Sequence, residues 1–427
     1  MIPYRALGLL FILDQLLLPM PHIAGMPFKL TYLFLGVWLV DLAGKKLVRE
    51  ADARRYQEFL RVALYFLGII AAAVVGELWT GTRIRVPDHG ETYRSIAIYL
   101  LMLLSFGLGL SAYQFRMRWL LHLLYVSVAA NLIVVFFGRY FPGLVLLYYD
   151  ATTTGADVLD AYRPRGLLGN PNVSMLHVNL VMLFVVIAQM KGYLELGVQR
   201  AVITLALPIV TALVLATRTE LLVSIILGAA LLNSIARQRG NRPAQRLLIG
   251  GAALVSAGLL FVAVSFVAAN NELILTGLER VTSTRGALLD VADRNSSILR
   301  PLLVWEIVYA RFMDSPFFGT GFNRAQFWPY NYSPLYYHND WFRVLVTSGL
   351  AGFLLFVLLV RRIWTVAGGI AVLPFFLPAL TNTFILAIPA SMFYFFMIGV
   401  ITERRRLGEA PQARPVPAAA PVPQPVS

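Results

Sequence analysis

Tyr336-Tyr337-His338-Asn339-Asp340-Trp341-Phe342-Arg343 runs directly into the apolar segment Val344–Val360. A helix needs about 20 apolar residues to cross the hydrocarbon core of a bilayer. Trp341–Val360 supplies that length with one charge, Arg343, near its start. A histidine therefore stands where a polar loop meets a membrane span. Working outward, the loop before it is long, Asn270–Trp341, and the flanking chain is one apolar run after another.

The composition agrees with this. The chain has 427 residues, 58% hydrophobic and 14% charged, with a mean hydropathy of +0.70. Soluble domains are nearer about 45–50% apolar and about a quarter charged. Spans of this kind must be helices, because the bilayer offers no water to the backbone and the alternating pattern of a barrel is missing. The fold class read here is an all-α integral membrane protein with about twelve transmembrane helices and a long, partly helical periplasmic loop between spans nine and ten. The candidate spans are Ala6–Leu18, Phe28–Leu42, Leu60–Leu78, Ile96–Ala112, Trp119–Phe137, Val173–Met190, Ala201–Ala216, Glu220–Ile235, Leu247–Ala268, Phe342–Val360, Val366–Leu380 and Phe384–Ile401. The first lacks a small-residue cleavage site after Pro19-Met20-Pro21 and reads as a retained span.

Charge sets the orientation. Of 36 Lys and Arg, 21 fall in one set of alternate loops and termini, among them Arg5, Lys45, Lys46, Arg116, Arg118, Arg237, Arg361, Arg362 and Arg404–Arg406. The positive-inside rule puts these, and both termini, in the cytoplasm. The net charge of +14 is then largely topological, and nucleic acid is not an expected partner. The organisation read is residues 1–269 as spans one to nine, 270–341 as the outer loop, 342–402 as spans ten to twelve, and 403–427 as a Pro- and Ala-rich disordered cytoplasmic tail. Within the loop, Ile298–Met313 is apolar on much of its surface and carries Pro301 near its first turn, which predicts a helix lying at the membrane interface. With no cysteine, disulfides, thiolate metal sites and cysteine nucleophiles are excluded.

Chemistry-bearing residues are few. The five histidines, His22, His89, His122, His177 and His338, form no close metal-binding pair. His122 and His177 lie in apolar spans and read as core histidines. His338, flanked by Tyr336, Tyr337, Asn339 and Asp340, is placed to take a proton from a hydroxyl near neutral pH. Arg163 and Arg165 close the second outer loop in Arg163-Pro164-Arg165-Gly166-Leu167-Leu168-Gly169-Asn170-Pro171-Asn172. Arg218 occupies a short outer turn, Thr217-Arg218-Thr219-Glu220, where a charge needs a partner. A phosphate is one such partner, since the guanidinium fork matches its oxygens; a salt bridge to Glu220 is another. Arg343 is a snorkelling residue or a second phosphate contact. No metal site and no cofactor is expected. Gly107-Leu108-Gly109 follows no strand and is not a nucleotide loop.

Four segments in order resemble the O-antigen ligase and polymerase superfamily of bacterial inner-membrane proteins. They are Arg165-Gly166…Asn170-Pro171-Asn172, Thr217-Arg218-Thr219, Arg300…Trp305…Pro316…Gly319-Thr320-Gly321, and His338-Asn339 before Gly349-Leu350-Ala351-Gly352. The resemblance covers about Arg163 to Val360. It implies transfer of a glycan from an undecaprenyl-pyrophosphate-linked donor to a sugar hydroxyl on the periplasmic face. For a ligase the acceptor is lipid A–core; for a polymerase it is another lipid-linked repeat. It further implies inverting chemistry by direct displacement, with His338 as general base and Arg165, Arg218 and Arg300 holding the pyrophosphate; the first outer loop, Pro19–Met26, holds no acid, which points to metal-independent chemistry. Arg163, Asn339, Asp340, Tyr336 and Tyr337 are supporting residues, and membrane lipids are constant partners. A rival class, a transporter or flippase, tends to carry inverted repeats and midplane charges. This sequence shows no repeat and gathers its charges at the outer boundary.

Overall fold

The computed structural model describes residues 4–17, 22–23, 26–27, 29–44, 50–80, 89–141, 166–167, 171–215, 217–238, 308–309, 311–322, 326–327, 335–336, 339–376, 384–385 and 387–408. Within them the chain is nearly all helix. The helices are α1 (Tyr4–Leu17), α2 (Leu30–Gly44), α3 (Glu50–Thr80), α4 (His89–Ser111), α5 (Trp119–Tyr140), α6 (Pro171–Met190), α7 (Val198–Val214), α8 (Arg218–Gln238), α9 (Asp340–Ala367), α10 (Leu373–Phe376) and α11 (Ile388–Arg406). Two short antiparallel ribbons pair His22–Ile23 with Met26–Pro27 and Gln326–Phe327 with Leu335–Tyr336.

Six of these helices are long and apolar enough to cross a membrane: α3, α4, α5, α6, α8 and α9. The chain is a multi-pass helical membrane protein. The expected span Leu247–Ala268, most of the long loop and the tail beyond Gly408 lie outside the described residues. The helix expected over Ile298–Met313 is described only at residues 308–309 and 311–314, which are helical, with Val308 buried and Tyr309 exposed. Val366–Leu380, expected as one span, is instead broken. α9 runs on to Ala367, Gly368 at φ 101° stops it, a 3₁₀ turn follows at Gly369–Val372, and α10 is a single turn. Two adjacent glycines and Pro374 deny this stretch a continuous helix.

α6 is the hub. Its most apolar window is 89% buried, against 39% for α3 and α5. It packs on α5, α7, α8, α11 and the 3₁₀ turn. Elsewhere α4 lies along α11, and α3 along α9. The α4–α11 crossing is close because both helices offer glycine there. A Cβ on Gly109 would lie 2.0 Å from the Phe396 carbonyl oxygen, and one on Gly399 2.3 Å from that of Phe106. Small residues at a crossing let membrane helices approach backbone to backbone. The Gly107-Leu108-Gly109 run therefore serves packing.

The two ends of the bundle differ. At one end arginines and glutamates pair: Arg55 with Glu403 at 2.9 Å, Arg362 with Glu58 at 2.7 Å, and Arg404 with the carbonyls of Tyr113 and Phe115 at 2.8 Å. The other end carries Thr80, Thr92, Ser95, the turn of residues 315–321 and the start of α9. Thr80 links two of these, its hydroxyl donating to the Thr320 carbonyl at 3.2 Å.

Candidate functional site

The start of α9 is tied down on every side. Asn339 is its N-cap, and its side-chain oxygen accepts from the N–H groups of Trp341 at 2.9 Å and Phe342 at 3.3 Å. Such a cap stabilises a helix by about 0.5–2 kcal/mol. Asp340 is fully buried, and its carboxylate accepts from the N–H groups of Phe384 at 2.9 Å and Ile385 at 3.3 Å. It thereby holds the segment before α11 against α9. Trp341 adds a bond from Nε1 to the Phe375 carbonyl at 2.7 Å. Arg343, one turn on, is 1% exposed and donates from Nη2 to Ser95 Oγ of α4 at 3.2 Å. Asp340 and Tyr99 lie within electrostatic reach of it. Arg343 thus does not snorkel to the surface; it is an interior charge with polar company, as a charge inside a membrane protein must be.

α9 then breaks. Gly349 has φ 60° and ψ −164°, a conformation closed to other residues. A break inside a membrane frees backbone groups that must be satisfied by protein. The turn before Phe322 does this. Thr320 N–H donates to the Val346 carbonyl at 2.8 Å and Gly321 N–H to that of Thr347 at 3.0 Å. In return Leu350 N–H donates to the Pro316 carbonyl at 2.8 Å and Ala351 N–H to that of Phe317 at 3.0 Å. Two glycine motifs far apart in sequence form one joint, with α3 closing over it at Gly76.

A second knot holds the start of α8, whose first residue is Arg218. Glu220 is buried, and Asn179 of α6 donates to its carboxylate at 2.7 Å and to its carbonyl at 2.8 Å. Ser224 donates to Asn179 Oδ1 at 2.7 Å. Two residues after Arg165 in sequence, Leu167 N–H donates to Asn131 Oδ1 of α5 at 2.8 Å. Gly166, at φ 68°, lies so close to Asn131 and Ser174 that a Cβ would be 2.8 Å or less from either.

Of the residues singled out from the sequence, Asn339, Asp340 and Arg343 come together on one turn. Arg218 opens α8, and Tyr336 sits in a ribbon opposite Gln326. His338, Tyr337, Arg163, Arg165 and Arg300 lie outside the described residues. His177 is buried, with Nδ1 3.1 Å from the Val173 carbonyl, whereas His122 faces outward beside Trp119. Sequence reasoning missed Ser95, Asn131 and Asn179, polar residues inside apolar spans. It also missed a buried pair at the α1–α2 turn, where Lys29 Nζ donates to the Asp14 carbonyl at 2.7 Å and Thr31 N–H to the Asp14 carboxylate at 2.8 Å. Polar side chains are costly in hydrocarbon, and that cost was the available signal. No group of three histidine or acidic side chains among the described residues is arranged to hold a metal ion.

These features define a multi-pass membrane protein with a broken helix, α9, whose capped start gathers buried polar groups. A family model described as O-antigen ligase matches residues 203–357, the stretch that holds α8, the glycine joint and the start of α9. The match supports the O-antigen ligase superfamily, a group of membrane ligases and polymerases that act on lipid-linked glycans. No curated protein and no solved structure matches the chain.

Proposed function

We propose that the protein is an O-antigen ligase-type glycosyltransferase of the bacterial inner membrane. It takes a polysaccharide from undecaprenyl pyrophosphate and joins it to a sugar hydroxyl of lipid A–core at the periplasmic face. The single observation that carries this reading is the family match over residues 203–357. The matched range takes in α8, the glycine joint and the start of α9. In sequence, His338 immediately precedes the capped, buried start of α9. It takes the acceptor proton as the hydroxyl attacks the anomeric carbon, and the carbon–oxygen bond to the pyrophosphate breaks with inversion. Arg165, Arg218 and Arg300 bind the leaving pyrophosphate and offset the negative charge that builds on it. Arg343 has a different part. Buried against Ser95, it sets the position of the turn that follows His338. The arginine-rich end and both termini face the cytoplasm.

The test is the lipopolysaccharide of a deletion strain. Loss of all polymer from lipid A–core, with lipid-linked polymer accumulating, is the outcome for a ligase. A core carrying one repeat unit would make the protein a polymerase, and unchanged lipopolysaccharide would remove it from this pathway.

A further inference from the structure

At the arginine end, α3, α9 and α11 leave a cavity of about 320 Å³ between them. Glu58, Arg362, Thr365, Thr402, Arg405 and Arg406 line it. The transfer chemistry does not use it, for it sits at the other end of α9 from Asp340.

The charge in this cavity is unbalanced. Three guanidiniums face one carboxylate, and that carboxylate is already shared, with Arg362 at 2.7 Å and Arg61 at 2.9 Å. Arg406 is committed to Glu403 at 2.6 Å, which Arg55 also reaches at 2.9 Å. Arg405 bonds the carbonyls of Thr365 and Val366, and among the described residues it meets no carboxylate. The Nε of Arg362 is buried without a hydrogen-bond partner among those residues. A buried donor left unmade is costly, which favours a ligand that accepts from it. The positive field extends beyond the cavity. Partial burial, and then the charge of Arg405, hold the Lys191 ammonium below the usual lysine range.

The surroundings say what kind of anion fits. Trp364, between Arg362 and Thr365 in the chain, is 57% exposed, and tryptophan collects at the membrane–water interface. Above it on α9, Leu354 and Leu358 are exposed towards the surroundings of the bundle. The cavity mouth thus lies at headgroup depth, next to a wall along which acyl chains can run. Guanidiniums bind phosphate oxygens in a fork, and basic pockets between membrane helices suit anionic lipid headgroups. We propose that this cavity binds the phosphate of an anionic phospholipid, with Arg362 and Arg405 as its contacts.

Thermal unfolding of the purified full-length protein in a non-ionic detergent tests this, because a ligand that binds only the folded state raises Tm. Phosphatidylglycerol should raise Tm by several degrees. Phosphatidylcholine and inorganic phosphate at the same concentration should not. Arg362→Gln should cancel the shift. Thr365→Glu should cancel it too, by placing a carboxylate at the exposed rim while leaving every ion pair in place. An equal shift from phosphatidylcholine overturns the proposal, as does a full phosphatidylglycerol shift in Thr365→Glu. An equal shift from inorganic phosphate would make the cavity a site for soluble anions and overturn the lipid assignment.

Discussion

Gly319 and Gly349 face each other backbone to backbone, and each excludes a side chain on the other. A Cβ on Gly319 would lie 2.5 Å from the Gly349 nitrogen, and a Cβ on Gly349 would lie 2.5 Å from the Gly319 nitrogen. Both residues also have positive φ, 75° and 60°. The joint between the long loop and the broken helix therefore depends on two glycines for two independent reasons.

Alanine at either position should be severely destabilising. The left-handed backbone alone costs about 1–2 kcal/mol per non-glycine residue, and the backbone contact cannot relax by side-chain motion. Gly349→Ala and Gly319→Ala should each lower the melting temperature of the detergent-purified protein and reduce its yield. Gly36→Ala is the control, since nothing lies within 4 Å of a Cβ there. Equal melting temperatures for all three variants would mean that the joint is not the support described above.

Asp340 offers a second test. Its carboxylate satisfies two buried N–H groups, at Phe384 and Ile385. Removing the acceptor leaves those donors unmade, at a cost of about 1–3 kcal/mol each. Asp340→Ala should lower thermal stability and glycan transfer together. Asp340→Asn keeps one acceptor oxygen and should recover much of the stability. A fully stable but inactive Asp340→Ala protein would instead point to direct contact between this carboxylate and the reacting groups.

The start of α8 separates charge from position. Lysine keeps the charge of Arg218 but loses its fork, so Arg218→Lys should insert and express normally yet transfer little glycan. Asn179→Ala removes the grip on Glu220, 2.7 Å away, and leaves a buried carboxylate short of a donor. It should lower stability as well as activity. Wild-type transfer by Arg218→Lys would reduce Arg218 to a structural or snorkelling residue.

Parts of this architecture were legible in the sequence. Six of the expected spans were, because hydropathy over about 20 residues is a strong signal. The ends of α5 and α6 fell within a few residues of the expectation. The cap at Asn339 was not read: the span was drawn from Phe342, although asparagine is a usual residue at a helix start. The break at Gly349 could not be read, because an isolated glycine in an apolar segment is usually tolerated within a helix. Its partners lie about thirty residues upstream, at Pro316–Gly321, and no local pattern links the two stretches. The burial of Arg343 could not be read, because nothing in a linear sequence tells which face of a helix meets Ser95. The polar residues Asn131 of α5 and Asn179 of α6 are single letters in apolar text. Their meaning comes only from the turns they grip.

His338 is the most exacting prediction. A sugar hydroxyl has a pKa far above neutrality, so its attack gains from a positioned base, typically about 10²–10⁴-fold. The residue after it, Asn339, caps α9, and the next, Asp340, is buried against the segment before α11. The chain that follows His338 is therefore fixed, as a catalytic base requires. His338→Ala should abolish detectable transfer and leave the melting temperature and donor binding nearly unchanged, because the base touches the acceptor and not the pyrophosphate. His177→Ala should act through stability, since its ring is buried within α6. The assay is glycan transfer by purified protein from a lipid-pyrophosphate donor, with a chelator present. Transfer by His338→Ala above about a tenth of the wild-type rate would remove this residue as the base, given the lower end of that range. Loss of wild-type transfer in chelator alone would assign the work to a metal ion, and the acids of Asp150–Asp160, in the second outer loop of the sequence, would be the residues to replace next.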